Sequence, residues 1–160
     1  SDVCSSDLHN KNSYDTAMGK LDWKIEDGKA EFAIAMVDLN FLKRINDTYG
    51  HEQGNIAIQK LCHILKEIFQ HSPIYRIGGD EFVIILEGED FLNADKLIEE
   101  FNAELDRIAA DETLDPWEKI SASVGIAIYD RLADSSAANV FKRADKAMYI
   151  RKRAMKAVRD

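Results

Sequence analysis

Cysteine and proline are both scarce in this 160-residue chain, which holds two of each. Cys4 and Cys62 show neither the spacing of a zinc site nor that of a redox pair, so a reducing, cytoplasmic setting fits best. The two prolines, Pro73 and Pro116, mark breaks between segments with regular apolar periodicity. The short supply of both residue types therefore favours a reduced protein made of long regular elements.

Long apolar runs and an excess of basic residues are also missing. No run approaches the ~20 apolar residues of a membrane span, and nothing resembles a signal peptide. The formal charge of −8 argues against a protein that coats nucleic acid. The charge is uneven, because residues 141–160 hold eight basic and two acidic side chains, whereas the other 140 residues hold 13 and 27. An acidic body with a basic final helix suits a compact anionic ligand held at one place.

The apolar residues, 46% of the chain, are sufficient for one globular domain with a substantial core. Their spacing predicts helices over residues 13–27, 51–70, 93–111 and from about 134 to 157, a short partly helical piece over 39–49, and strands over 31–37 and 119–129. Asp134, Ser135 and Ser136 are the expected N-caps of the last helix. This order predicts an α+β fold, with one mixed sheet covered by helices on its faces.

Residues 75–86 predict a hairpin whose turn carries Gly78 and Gly79, followed at once by Asp80 and Glu81. Glycine can adopt the positive φ of a tight turn and leaves the backbone bare for a ligand. The alternation of side chains along a strand predicts that the two acids point to opposite faces. Acids at turns are commonly just solvated, but two of them beside a bare backbone indicate a site for a cation and a phosphate.

Asp38 ends the first predicted strand, which can pair with the strand after the hairpin turn. Carboxylates from neighbouring strand ends, here Asp38 and Asp80, can hold divalent cations together with substrate phosphates. Without Asp80, we would interpret Asp38 as a simple strand-end cap. The N–H groups of a turn or helix beginning at residues 39–42 form a natural phosphate cradle. Lys152 and Lys156, spaced i, i+4, can either grip the same phosphates or lie on an ordinary solvated helix face.

Four segments then combine into one pattern: DLNFLKRINDTYGH at 38–51, RIGGDEF at 76–82, VGIA at 124–127 and RADKAMY at 143–149. Together they resemble the signature segments of the GGDEF family, the diguanylate cyclases, and the similarity extends from about Asn10 to the end of the chain. The resemblance implies a palm-like fold, related to ferredoxin-like and nucleotidyl-cyclase-like folds. It also implies condensation of two GTP into cyclic di-GMP, with release of pyrophosphate, by an antiparallel homodimer. Two Mg²⁺ ions per active site are implied, with Mn²⁺ as a substitute.

The resemblance also implies roles for individual residues. Asp38, the carbonyl of Leu39 and Asp80 match metal ligands, and Glu81 matches a general base that acts beside Asp80. The remaining matched positions would bind substrate: Asn46, His51 and Asn55 at the guanine, Lys43 and Lys152 at the phosphates, and Phe41, Leu42, Gly78, Gly79 and Lys156 around them.

The chain departs from the family pattern at several positions. Asn55 and Lys156 stand where the family usually has Asp and Arg, and Met155 and Ala157 stand where it commonly has Gly and Asn. These changes leave an alternative open, a degenerate module that binds GTP or a partner protein without turnover. We interpret residues 1–8 as a non-native or disordered leader and residues 9–160 as a single GGDEF domain. That domain is expected to come from a longer sensor protein that is either cytoplasmic throughout or anchored in a membrane.

Overall fold

A computed structural model of the protein describes residues 10–159, so the expected leader at residues 1–8 lies outside the described part and stays a prediction. Six helices and four strands follow one another in these residues. The order is α1 (Lys11–Glu26), β1 (Ala33–Leu39), α2 (Leu42–Tyr49), α3 (His51–Ile68), β2 (Ile74–Arg76), β3 (Glu81–Leu86), α4 (Gly88–Leu92), α5 (Ala94–Ala110), β4 (Ala122–Ile128) and α6 (Ala137–Arg159). None of these helices has both the length and the apolar character needed to cross a membrane.

The four strands form one sheet in the order β2-β3-β1-β4, and all three pairs of neighbours are antiparallel. The predicted α+β, palm-like class is confirmed, but the expectation of a mixed sheet is wrong for the described strands. The helical crossovers do connect strands that run in the same direction, β1 with β2 and β3 with β4. In each case a third, antiparallel strand lies between the two, so no parallel pair forms.

The central strand β1 separates two hydrophobic cores, and all seven of its residues are buried. Ala35 and Val37 face a core that α3 and α5 cover with Leu61, Phe101 and their neighbours. The alternate residues Ile34 and Met36 face a second core, which α1 and α6 complete. Because both faces of β1 are covered, a polar side chain on this strand is held in a fixed and nearly dry position.

Several boundaries differ from the expected ones, and two of them change a strand next to the site or the segment before it. β1 runs two residues further than predicted, so Asp38 is the penultimate residue of the strand and not a cap beyond it. β4 begins at Ala122 because the preceding segment folds into turns, in which the N–H groups of Glu118 and Lys119 donate to the carbonyl of Asp115 at 2.9 and 3.3 Å. The first change matters for the site, since it buries the Asp38 side chain.

The first turn of α6 is capped from two directions. Ser136 Oγ accepts a hydrogen bond from the Asn139 N–H at 3.3 Å, as one of the predicted caps. The carboxylate of Asp22, on α1, accepts from the Ala137 N–H at 2.8 Å. Asp134 does not cap the helix, because it pairs with the Arg143 guanidinium and accepts from the Asp130 N–H. These contacts fix α6, which carries Lys152 and Lys156, against the sheet and α1.

Candidate functional site

The polar residues of interest meet where β1 ends beside the turn between β2 and β3. Asp38 lies opposite Glu81 in the β1–β3 ladder. One residue later, the Leu39 N–H donates to the carbonyl of Asp80 at 2.9 Å. The glycine turn is therefore hydrogen-bonded to the end of the central strand, and its two acids stand beside Asp38.

Asp38, Asp80 and Glu81 form a compact cluster in which one carboxylate oxygen from each lies within 4.8 Å of the others. The expectation that Asp80 and Glu81 diverge to opposite faces is therefore wrong. β3 begins at Glu81, so Asp80 belongs to the turn and the alternation of a pleated strand does not apply to it. Three hard oxygen donors at this spacing are the ligand type that Mg²⁺ and Mn²⁺ prefer.

The turn itself is wider than a two-residue hairpin. The Ile77 N–H donates to the Glu81 carbonyl at 3.1 Å, and the Arg76 guanidinium donates to the carbonyls of Gly78 and Gly79 at 3.3 and 2.7 Å. Among the described glycines, positive φ occurs at residues 28, 50 and 88, so the expected positive φ at Gly78 and Gly79 is wrong. The wider loop does not need it. A Cβ on Gly79 would meet nothing within 4 Å, so the backbone there is open to a ligand, as expected.

Asp38 is the most constrained member of the cluster. Its side chain is 9% exposed, and Oδ2 accepts a hydrogen bond from Lys152 Nζ at 2.6 Å. Oδ1 is buried without a hydrogen-bond partner in the described structure. Burial raises the pKa of Asp38 to about 6, and the charges of Asp80 and Glu81 add to this rise although Lys152 opposes it. A cation would give Oδ1 its missing partner and offset the carboxylate repulsion, so the residues present fit a divalent metal.

Next to the carboxylates, a cavity of about 560 Å³ opens towards the first turn of α2 and the end of α6. Its lining is Leu39, Phe41, Leu42, Lys43, Arg44, Asp47, Thr48, Asp80, Lys152 and Lys156. Four of these side chains are cationic, which suits a polyphosphate. Arg44, Asp47 and Thr48 were not predicted as site residues, although their i, i+3, i+4 spacing on a helix beginning at residue 42 is a usable signal. A groove of similar size, about 540 Å³, lies between α1 and the β2–β3 hairpin but does not include the carboxylates.

Phe41 lines the cavity immediately before the start of α2. It adopts the left-handed conformation, with φ of 63° and ψ of 21°, and is the one non-glycine residue with positive φ in the described chain. Such a conformation costs on the order of 1–3 kcal/mol and is found preferentially at functional sites. The helix has no side-chain cap hydrogen bond at this N-terminus. The first-turn N–H groups of α2 belong to residues that line the cavity, a position that suits an anion. The Arg44 guanidinium lies over the Phe41 ring at 4.9 Å.

The three residues matched to the guanine pocket lie apart from this cavity lining, around the junction of α2 and α3. Asn46 packs directly on Gly54, since a Cβ there would lie 1.8 Å from Asn46 Oδ1. His51 and Asn55 are exposed on the first turns of α3. The base-reading roles of these three residues therefore stay predictions.

A buried polar network that was not predicted lies at the end of β1, next to the site. Asn40, which is 1% exposed, donates from Nδ2 to Ser121 Oγ at 3.1 Å and accepts from Ser123 Oγ at 3.1 Å. Both Asn40 Nδ2 and Ser123 Oγ also contact Met155 Sδ, at 3.6 and 3.3 Å. Ser121 and Ser123 occupy alternate positions of the predicted strand over 119–129, and this pattern could have indicated a polar contact there. The network joins the turn after Asp38 to the last part of α6.

Known proteins resemble this chain along most of its length. The family model described as "Diguanylate cyclase, GGDEF domain" matches residues 4–157. Diguanylate cyclase A of Treponema denticola is 30% identical over 123 residues, which are 76% of this chain and 32% of that protein. An uncharacterized membrane protein of Staphylococcus epidermidis is 25% identical over 146 residues, 91% of this chain and 41% of the relative. The chain thus spans about a third to two fifths of these curated relatives.

Solved structures agree on the fold. The GGDEF domain of DgcB from Caulobacter crescentus, determined in complex with c-di-GMP, superposes with a TM-score of 0.75 at 26% identity, covering 92% of this chain and 86% of that one. The active GGEEF domain of a diguanylate cyclase from Vibrio cholerae superposes with a TM-score of 0.77 at 24% identity, covering 92% of both chains.

Proposed function

The chain belongs to the GGDEF family of diguanylate cyclase domains, and on that premise we propose that it condenses two GTP molecules into cyclic di-GMP with release of pyrophosphate. The observation that carries the proposal is the convergence of Asp38, Asp80 and Glu81 beside a cavity lined by cations. An anionic triphosphate and a divalent ion fit that combination of charges. GTP as substrate, and cytoplasmic location, are parts of this proposal.

Asp38, the Leu39 carbonyl and Asp80 would hold the divalent ions, Mg²⁺ or Mn²⁺. When bound, such ions supply positive charge that polarises the reacting phosphate and stabilises the charge developing on it. Lys43, Lys152 and Lys156, which line the same cavity, would hold the phosphate oxygens. The first-turn N–H groups of α2, together with Phe41 and Leu42, complete this phosphate cradle. Gly78 and Gly79 leave room for the nucleotide against the turn.

Glu81 is proposed as the general base. Its carboxylate would accept the proton of the ribose 3′-hydroxyl as that oxygen forms a bond to the α-phosphorus of the second GTP. The bond from the α-phosphorus to the bridging oxygen breaks, and pyrophosphate leaves with that electron pair. Repeating the transfer in the other direction closes the ring. Each protomer holds one nucleotide, so two protomers must face each other in antiparallel orientation.

The degenerate-module alternative is favoured by Asn55. Guanine presents two adjacent donors, and a carboxylate accepts both, whereas an amide offers one acceptor oxygen and directs its N–H₂ at the other donor. A buried donor left unpaired costs ~1–3 kcal/mol. Asn46 nearby, or a water, can satisfy the second donor, so we rank turnover above binding alone.

The test is incubation of the chain with GTP and Mg²⁺ followed by chromatographic detection of cyclic di-GMP and pyrophosphate. Glu81→Gln is the matched control, since it keeps the size of the side chain and removes the base. We expect product from wild type and a large loss in the variant. GTP binding by calorimetry without product over long incubation at high protein concentration would instead establish the degenerate module.

A further inference from the structure

The ion pair between Lys152 and Asp38 occupies the same carboxylate that metal binding requires. Lys152 reaches from α6 to Asp38 Oδ2, at 2.6 Å, across a separation of 114 residues in sequence. Both side chains are largely buried, at 19% and 9% exposure. A contact this short between charged groups, largely shielded from water, is much stronger than an exposed surface pair.

We propose that Lys152 competes with a divalent cation for Asp38, and that nucleotide phosphates relieve this competition by drawing the ammonium into the cavity. The inference rests on the proposed function for its second ligand, a nucleoside triphosphate. Its first half concerns metal and protein alone.

The competition follows from charge. A cation on either oxygen of Asp38 would lie close to an ammonium that is itself 2.6 Å from Oδ2, and like charges at such separation repel strongly in a site poor in water. The neighbouring Asp80 and Glu81 keep the cluster attractive to a cation of higher charge. On this proposal, metal binding displaces Lys152 from Asp38.

The cavity can accommodate the ammonium group of a displaced Lys152. Lys152 lines the cavity together with Lys43, Arg44 and Lys156, and its four-carbon stem allows the ammonium to swing without moving the helix. Without an anion there, the ammonium would face three other cations. With phosphates there, it gains new partners. Binding of metal and of triphosphate should thus favour each other through Lys152, and such coupling is reciprocal.

The unpaired Oδ1 atom of Asp38 suggests an alternative role for Lys152. Because Asp38 Oδ1 is buried without a partner, a cation could bind Oδ1 while Lys152 stays on Oδ2 and orients the carboxylate. Under that arrangement Lys152 is a supporting residue, and removing it weakens metal binding. Competition predicts instead that removing Lys152 strengthens metal binding. Measuring the metal affinity of a Lys152 variant therefore distinguishes the two roles.

The first experiment titrates Mn²⁺ into chelator-treated protein at pH 8, without nucleotide, and follows free Mn²⁺ by electron paramagnetic resonance. At pH 8 Asp38 is ionised in wild type, because its pKa is raised only to about 6. We expect Lys152→Met to bind Mn²⁺ roughly 5-fold tighter or more, the low end of typical coupling. Lys152→Arg keeps the charge and should stay near wild type. Lys156→Met removes a charge from the same helix face without touching Asp38, and should have a smaller effect than Lys152→Met.

The second experiment measures the affinity for guanosine 5′-[α,β-methylene]triphosphate with saturating Mn²⁺ and with EDTA. The ratio of the two affinities should be several-fold larger in wild type than in Lys152→Met, because metal bound by the nucleotide itself contributes equally to both.

Mn²⁺ affinity that is unchanged or weaker in Lys152→Met overturns the competition, provided thermal melting shows the variant folded. Equal ratios overturn the coupling to phosphate. Failure of GTP turnover would contradict the proposed function and leave the metal titration as evidence on Lys152.

Discussion

Asp38 lies on the central strand, nearly fully buried, and shares its surroundings with Asp80 and Glu81. Burial first, and the two neighbouring charges second, raise its pKa from 3.8 to about 6 despite the Lys152 hydrogen bond. Between these two pH values the folded protein holds a proton that the unfolded chain has released. The contribution of Asp38 to stability is therefore present below about pH 4 and is lost as the pH rises through 6. Above that pH the ionised carboxylate destabilises the fold, as is common for groups retained for function.

Replacing Asp38 with asparagine should accordingly stabilise the protein. At pH 8 we expect Asp38→Asn to raise the free energy of unfolding by on the order of 1–3 kcal/mol, because a buried ionised group becomes neutral. The gain should shrink at pH 4.5, where wild-type Asp38 is largely protonated. Urea denaturation at both pH values measures the difference, with the exposed Asp106→Asn as a control that should change little. Destabilisation at pH 8 would show that the Lys152 ion pair outweighs burial.

Gly125, in the VGIA segment, allows strand β4 and helix α6 to approach each other closely. A Cβ at this position of β4 would lie 2.1 Å from the Met148 N and 2.4 Å from the Ala144 carbonyl oxygen, both backbone atoms of α6. Neither atom can move without displacing the helix. The VGIA and RADKAMY segments therefore pack backbone against backbone, and the glycine sets their distance.

Gly125→Ala should destabilise the protein by about 3 kcal/mol or more, at the upper end of overpacking effects. Gly79→Ala is the matched comparison, because a Cβ there meets nothing within 4 Å and the φ is not positive. Its midpoint of thermal unfolding should stay within a degree or two of wild type, as expected for a surface change. Similar losses in both variants would contradict the close packing of β4 on α6.

Helix α6 contacts the sheet through Ala144 and Met148 in its middle, and it also contacts the site through Met155 near its end. Met155, on this helix, accepts contacts from Asn40 and Ser123, and Asn40 separates the Leu39 carbonyl from the strained Phe41. In the sequence resemblance, Met155 stands where the family pattern has glycine, so the thioether contacts involve a side chain that departs from that pattern. They link the phosphate-facing lysines of α6 to the turn after β1.

Met155→Gly, which restores the common family residue, should lower the free energy of unfolding by about 2 kcal/mol. Part of this comes from glycine within a helix, about 1 kcal/mol, and the rest from lost packing around a partly buried side chain. Met155→Leu keeps the volume and removes the sulfur acceptor, so it should retain most of the stability. Amide hydrogen exchange of residues 150–158 reports whether the helix end loosens in the glycine variant. Full protection there in Met155→Gly would show that the network does not hold α6.

Periodic elements could be predicted from sequence, and contacts between distant residues could not. The apolar stripe of α3 and the hairpin around Gly78 follow local patterns, so both appear where expected. The meeting of Asp38 with Asp80 was also predicted, since adjacent strand ends bring their residues together, whereas Glu81 was expected to diverge from Asp80. The Asn40–Met155 contact joins residues 115 apart in the sequence, which no local pattern encodes. The left-handed conformation of Phe41 was not predicted either, because a bulky side chain disfavours it. The alternation of side chains along a strand did not predict the direction of Asp80, because β3 begins one residue later, at Glu81.

The reaction proposed for this domain needs two copies of it. Residues 10–159 contain one cluster of three carboxylates, which suits one metal-bound nucleotide per chain, whereas cyclic di-GMP contains two guanylyl units. Each 3′-hydroxyl must therefore reach the α-phosphate held by another protomer. The relatives that this chain resembles are longer proteins, of which it covers 32% and 41%. We propose that an upstream sensor in the parent protein of this domain controls how often two such domains meet.

Turnover by the isolated chain should consequently depend on its concentration. While the dimer is a minor species, the initial rate of cyclic di-GMP formation should rise with the square of protein concentration, so specific activity grows in proportion to it. Fusing a leucine zipper to the N-terminus should raise specific activity at low concentration and make the rate linear, because the second domain is then supplied at high effective concentration. The fused Glu81→Gln variant controls for contaminating activity and should form no product. Sedimentation velocity over the same concentrations establishes the oligomeric state. Constant specific activity over about a hundredfold range, in a chain that sediments as a monomer throughout, would contradict catalysis between two facing protomers.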